Sequence, residues 1–320
     1  MKLGLYALGL LLAALTGNSS SADIVKIGAL TESWGPTPGV VGLRDGLNAL
    51  GYREGEQFVI GVRFTRGDVN GLPQAMRDLL NSGSTIIFAN GPNAAKVAKA
   101  ATTTVPVVFA VEIPDPVQIG LVGSYARPGG NLTGITDLSH ELGSKRLELL
   151  KEILPGLKRV IFPYNPDDES ALDVLRISRD AARRLQITLL ERPVRTEREA
   201  RKVFATLRKG DADAVVIPGL LSLNIPGVIL DMTSQHGLPT MFSGAFWVER
   251  GGLMSYGADF YESGRLAARL VDKIIRGEKP AAISIESNPR IELVLNLKVA
   301  KALGLSLSPT LLQRATRVIE

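Results

Sequence analysis

Residues 24–64, IVKIGALTESWGPTPGVVGLRDGLNALGYREGEQFVIGVRF, hold one complete strand–helix–strand unit. The apolar run 24–30 has the length of a buried strand. Over 40–50, Val40, Val41, Leu43, Leu47 and Leu50 recur at helical spacing on one side, and Gly51 supplies a stop. Residues 58–64 then return to strand character. A helix between two apolar strands is the crossover from which parallel sheets are built.

The same rhythm continues outward. Spacing predicts a helix over 72–81, a strand over 85–89, a helix over 93–103 and a strand over 107–111, followed by a loop rich in proline and glycine through Gly130. After Gly134 it restarts: helix 144–154, strand 159–163, helix 170–185, strand 188–192, helix 197–209 and strand 214–217. A helix over 225–236, strands over 240–243 and 251–256 and a long helix over 261–275 follow. A chain of 320 residues exceeds one ordinary core, and each half has strands enough for its own sheet. The expected fold is α/β, with two Rossmann-like lobes, each on a parallel sheet.

At the amino end Lys2 precedes an unbroken apolar run from Leu3 to Leu15, then small polar residues to Ser21. That order suits a secretory signal peptide over 1–22, cleaved before Asp23. The run is short of the about 20 apolar residues a spanning helix needs; a retained anchor or a buried helix are the other readings. A lipid-attached leader needs a cysteine at the cleavage point, and the chain has none. The expectation is a periplasmic protein, free in solution.

The absence of cysteine also removes disulfides, thiolate metal sites and cysteine nucleophiles. The formal net charge of +5 is spread along the chain and interleaved with acids, as where Glu197 and Glu199 interrupt the arginines of 192–201, which reads as solvated helix surface and not a nucleic-acid patch. Two histidines, His140 and His236, stand far apart, with no H-E-x-x-H, G-x-S-x-G, G-x-x-x-x-G-K or G-x-G-x-x-G motif. Neither an enzyme nor a cofactor or metal is expected.

Open parallel sheets bind ligands beyond the carboxyl ends of their strands, where loops meet helix amino ends. That rule nominates the loops 31–36, 90–93 and 112–116 in the first half, and 164–168, 218–222 and 243–247 in the second. Asn90-Gly91-Pro92-Asn93 opens a helix with Asn93 as its cap; it is either an ordinary helix start or a holder of a ligand carboxylate. Trp34, Phe246, Trp247 and Tyr256 are either stacking surfaces for a flat solute or packing anchors. Glu32, Glu112, Asp115 and Asp259 could each pair with a ligand ammonium group or serve as a cap or surface charge. Ser33, Tyr164, Asn165, Pro218 and Ser243 complete the candidates, with Asn165 and Asp168 also placed to cap their helix.

Several ordered motifs resemble a known family. They are Val105-Pro106-Val107-Val108-Phe109, Asp115-Pro116-Val117 with Gly120-Leu121-Val122, and Ala126-Arg127-Pro128-Gly129-Gly130-Asn131 with Thr133-Gly134. Gly251-Gly252-Leu253-Met254-Ser255-Tyr256-Gly257, Glu292-Leu293-Val294-Leu295-Asn296-Leu297-Lys298 and Ala300-Lys301-Ala302-Leu303-Gly304 continue the series. Together they resemble the substrate-binding proteins of tryptophan/tyrosine-type ABC transporters over nearly the whole chain beyond the leader. The first loop departs from the family's more polar version, since Trp34-Gly35-Pro36-Thr37-Pro38 stands there.

The resemblance implies a type I periplasmic binding-protein fold, two lobes joined by three crossovers with solute trapped at the hinge. It implies an amino-terminal lobe of residues 23–137 plus 253–280 and a carboxyl-terminal lobe of 138–252 plus 281–320. It also implies a membrane permease and an ATPase as partners of a freely moving monomer. On this reading Trp34 and Tyr256 touch the solute's apolar body, the Asn90–Asn93 loop holds a carboxylate or other acceptor, and Asp115 or Asp259 takes a donor. A sensor module for a kinase or chemoreceptor is the alternative role, and an exported α/β hydrolase the alternative from another class.

Overall fold

The computed structural model describes residues 24–33, 37–111, 115–137, 142–167, 169–208, 210–219 and 224–320. The signal-peptide reading of residues 1–22 lies outside them. β1 (Val25–Thr31) and α1 (Pro38–Ala49) open the chain, and β2 (Phe58–Phe64) pairs in parallel with β1, Val25 opposite Phe58. The start and stop of α1 are local: the Thr37 side chain accepts from the Val40 amide, Pro38 fits the first turn, and Gly51 leaves at φ 94°. α2 (Leu72–Asn81), β3 (Ile86–Asn90), α3 (Pro92–Ala101), β4 (Val107–Val111) and β5 (Leu132–Thr136) extend the first sheet.

The chain then builds the second lobe with α4 (Leu142–Ile153), β6 (Arg159–Tyr164), α5 (Glu169–Arg184), β7 (Thr188–Pro193) and α6 (Glu197–Ala205). β8 (Ala214–Ile217), α7 (Asn224–Gln235), β9 (Thr240–Phe242), α8 (Ala245–Glu249) and β10 (Met254–Ala258) follow. It returns through α9 (Phe260–Ile275) and β11 (Glu286–Ser287) to the first lobe. β12 (Ile291–Asn296), α10 (Leu297–Ala302), α11 (Pro309–Arg314) and β13 (Arg317–Ile319) finish the second. The sheet orders are β11-β5-β4-β3-β1-β2 and β13-β12-β10-β9-β8-β6-β7.

Both sheets are covered on both faces, so successive strand residues enter different cores. In the first, Ile86 and Phe88 join one cluster while Ile87 and Ala89 join the other. In the second, Val160 and Phe162 face one side and Ile161 the other. The returning helix α9 lies on α1 through small residues. A Cβ on Gly264 would stand 2.0 Å from the Gly39 carbonyl oxygen, and one on Gly42 2.0 Å from that of Tyr261.

Three features depart from the sequence reading. Residues 132–136 form a strand that periodicity missed, because Gly134 breaks the apolar run; a Cβ there would meet Phe109 at 2.4 Å. β12 runs antiparallel to β10 in a sheet otherwise paired in parallel. The exchange points also fall later than 253 and 281. Met254–Ala258 pairs with β9 and β12 in the second sheet, and Glu286–Ser287 with β5 in the first, so the crossings lie at Asp259 and at 288–290. These two crossings run side by side, with the Asp259 amide donating to the Arg290 carbonyl at 3.0 Å. Buried Asn288 donates to the Asp259 carbonyl at 2.8 Å and to Ser263 Oγ at 2.9 Å.

Candidate ligand-binding site

In each sheet the strand order reverses beside the lobe's first strand, β1 between β2 and β3 and β6 between β7 and β8. The loops leaving the carboxyl ends of β1, β3, β5, β8 and β9 converge there on a cavity of ≈ 330 Å³ between the lobes. That volume lies at the small end of the range for small-molecule sites, about 300–1,000 Å³.

The first lobe supplies two carboxylates. Glu32 follows β1, is buried and lines the cavity. Its Oε2 accepts from Asn93 Nδ2 at 3.2 Å, and its main-chain carbonyl accepts from the Gly67 amide at 2.6 Å. Burial pushes its carboxyl above the usual glutamate range, and the Asn93 hydrogen bond pulls it partly back. Asp137, after β5, is also buried and lines the same space. Asn90 ties the entry loop down: its carboxamide oxygen accepts from the Thr37 hydroxyl, and its Nδ2 donates to the Ala110 carbonyl at 3.3 Å.

The second lobe supplies the rings. Phe246 meets Trp247 edge-on at 4.9 Å and 89°, and Trp247 stacks on Phe242 at 5.9 Å and 24°. The Arg250 guanidinium lies 3.4 Å over the Phe246 ring, and Arg250 is the one cation lining the cavity among the described residues. Phe260 and Ser263 enter from the start of α9. Gly244 is required beside them, because a Cβ there would stand 2.8 Å from the Phe260 ring.

Of the residues nominated from sequence, Ser33, Asn90, Gly91, Pro218, Ser243 and Phe246 line the cavity, as do Glu32 and Trp247. Trp34 and Glu112 lie outside the described residues. The others stand apart from the lining for identifiable reasons. Asn93 does not cap α3; Gly91 does, at φ 128°, with Pro92 next, leaving the Asn93 side chain to reach Glu32. Asp115 is spent on the Val117 and Gln118 amides at 2.8 and 3.3 Å. Asn165 accepts from the Asp167 amide at 3.1 Å.

Tyr164 and Tyr256 pack against the second lobe's core, and the Tyr256 carbonyl accepts from Arg146 Nε at 2.7 Å. Asp259 caps α9 through the Tyr261 and Glu262 amides and pairs with Arg290 at 3.2 Å. Sequence reasoning missed Asp137 because it missed β5, and Arg250 because α8, at five residues, is too short to show a period. Among the described residues no three His, Asp or Glu side chains gather as a metal site, and no helix is long and apolar enough to cross a membrane.

Comparison with known proteins places this arrangement. The model of the family described as ABC transporter substrate binding protein matches residues 26–319. The chain is 25% identical over 262 residues to a tyrosine-binding protein of Clostridioides difficile (strain R20291), a match covering 81% of this chain and 74% of that relative. A conserved domain protein of Vibrio cholerae O1 biovar eltor superposes with a TM-score of 0.81 at 27% identity, covering 93% of this chain and 99% of the other. An ABC domain of Streptococcus pneumoniae, solved in complex with L-Trp, superposes with a TM-score of 0.81 at 24% identity, covering 92% of this chain and 100% of that one.

Proposed function

The chain belongs to the ABC transporter substrate-binding protein family, and from that premise we propose that it captures an aromatic amino acid between its lobes and delivers it to a membrane permease driven by an ATPase. The observation that carries the solute class is the division of labour in the cavity. The first lobe brings the buried carboxylates of Glu32 and Asp137, and the second brings Phe242, Phe246 and Trp247. A solute that satisfies both has a cationic head and a flat apolar body. Its ammonium group pairs with Glu32 and Asp137 in a site drier than water, where charge-assisted hydrogen bonds are strong. Its ring rests against Phe246 and Trp247, with Phe260 beside it. Arg250, Ser243 and Ser33 are the groups proposed for its carboxylate.

This assigns the ligand carboxylate away from the Asn90–Asn93 loop, because the Asn93 side chain already serves the chain's own Glu32. Solutes named for the Clostridioides difficile and Streptococcus relatives, tyrosine and L-Trp, are of the proposed class. Contacts with both lobes favour the closed arrangement over an open one, so binding shifts a two-state population that a permease can read. Family members act outside the cytoplasm, and export through a leader over residues 1–22 to the periplasm completes the proposal.

A thermal-shift screen of residues 23–320 against amino acids, aromatic carboxylates, nucleosides and sugars tests the class. At 100 times its dissociation constant a solute that binds only the folded form adds about 2.7 kcal/mol of stability. Saturable stabilisation by L-tyrosine or L-tryptophan is expected. Stabilisation confined to a sugar or nucleoside would discard the proposed solute.

A further inference from the structure

Asn93 occupies an unusual place for a residue at the start of a helix. Gly91 caps α3 and Pro92 carries no amide hydrogen, so the side chain at the second helical position is released from capping. It points instead across to the loop after β1 and donates to Glu32 Oε2 at 3.2 Å. Glu32 is held at its main chain by the Gly67 amide, and at its carboxylate by the Asn93 side chain. Glu32 also lines the cavity. A carboxamide therefore supports a carboxylate whose ionisation burial opposes.

We infer that Asn93 is a positioning residue, one that orients the Glu32 carboxylate toward the cavity and sets how far into acid the chain keeps hold of an ammonium-bearing solute. This rests on the solute reading above. An ionised Glu32 binds the ammonium group and a protonated one does not, so affinity falls as pH drops through the carboxyl's value in the unliganded protein. Taking away the Asn93 hydrogen bond removes a contact that favours ionisation, and the fall then begins at higher pH. The sign follows from the directions at this site, where burial raises and Asn93 lowers.

Other charged groups stand on the elements around the loop. Asp137 follows β5, Arg66 follows β2 and donates its amide to the Ser33 carbonyl, and Lys96 lies along α3. Arg250 lies on the far side of the cavity, and Glu262 and the Asp259–Arg290 pair stand at the start of α9. Asp137 is the competitor for the titration, since it also lines the cavity.

The test is calorimetric titration of L-tyrosine and of L-tryptophan between pH 4.5 and 8 (about neutral to mildly acid) into the parent, Asn93→Ala, Asn93→Asp and Glu32→Gln, with circular dichroism of each to check folding. Asn93→Ala should move the midpoint of the affinity loss upward by about 0.5–1 pH unit. Asn93→Asp sets a second carboxylate against Glu32 and should move it further. Glu32→Gln should bind about tenfold or more weakly at neutral pH and lose the pH dependence. An unmoved midpoint in both Asn93 variants, with Glu32→Gln weak, overturns the inference and leaves the solute reading intact. A pH dependence that survives in Glu32→Gln assigns the titration to Asp137 and also overturns it. Parental affinity in Glu32→Gln, or no binding of either amino acid to the parent, overturns the solute reading and the inference with it.

Discussion

Replacing Gly264 by alanine sets two effects of opposite sign against each other. Alanine gains about 0.8–1 kcal/mol of helix preference over glycine. Its methyl carbon would stand 2.0 Å from the Gly39 carbonyl oxygen and 2.8 Å from the Leu43 amide nitrogen, against an ordinary contact of about 3.5 Å. Both neighbours are main chain, so neither can swing aside as a side chain would, and α9 must lift from α1. Overpacking costs about 1–3 kcal/mol where side chains yield, and more where they cannot. The clash wins, and a net loss of about 2 kcal/mol or more is expected. Gly227 in α7 is the counter-case, because its added carbon would sit 3.5 Å from Trp247, an ordinary contact, and Gly227→Ala should stabilise by about 0.5–1 kcal/mol. Urea unfolding followed by far-ultraviolet circular dichroism reads both. A Gly264→Ala protein as stable as the parent would refute the packing argument.

Three further outcomes follow from the same reasoning. Phe246→Ala should weaken an aromatic solute about tenfold with little change in melting temperature, whereas Trp247→Ala, which also removes the stack on Phe242, should cost about 3 kcal/mol of stability; titration and thermal melts separate them. Desolvation opposes ionisation of Asp213, but the Lys158 and Arg159 amides, at 2.9 and 2.7 Å, together with the Arg159 guanidinium at 3.4 Å, hold the carboxyl below the usual range. Its contribution is therefore present above the ordinary aspartate range and lost as pH falls through the depressed value. Asp213→Asn should cost about 1 kcal/mol at neutral pH, given its partial exposure, and converge with the parent in acid melts. Glu32 runs the other way: its raised carboxyl is accommodated best below the usual glutamate range, and that share is lost as pH rises through the raised value. Unliganded Glu32→Gln should accordingly melt higher than the parent at neutral pH, the stability cost of a site built for charge.

Much of the fold is legible in the sequence, and the reasons for the gaps are physical. The expected bounds 58–64, 72–81, 107–111 and 214–217 coincide with β2, α2, β4 and β8, because strand-length apolar runs and a strongly amphipathic helix are bounded there by polar or breaking residues. β5 hides because Gly134 yields its side chain to Phe109 on a neighbouring strand, a demand set by contacts far along the chain. The crossings at Asp259 and Asn288 are likewise products of which strand finds which sheet. For the site, four of the six loops picked by the rule of strand carboxyl ends contribute residues to the cavity lining, and the rule does not single out the atoms within them. Asp115, Asn165 and Asp259 sit at turns and helix starts for the same reason they attract attention: a short polar side chain satisfies main-chain amides there. Glu32 is legible as a candidate because it follows the first strand. Only the structure shows Asn93 turned toward it.

The central claim is that the cavity takes an ammonium head and a flat body together. Isothermal titration of residues 23–320 with L-tyrosine, with tyramine, which lacks the carboxylate, and with 3-(4-hydroxyphenyl)propionate, which lacks the ammonium, tests it most directly. The account predicts one site per chain for the amino acid, with the propionate weakened about tenfold or more because Glu32 and Asp137 lose their partner. Equal affinity for L-tyrosine and the propionate would contradict it.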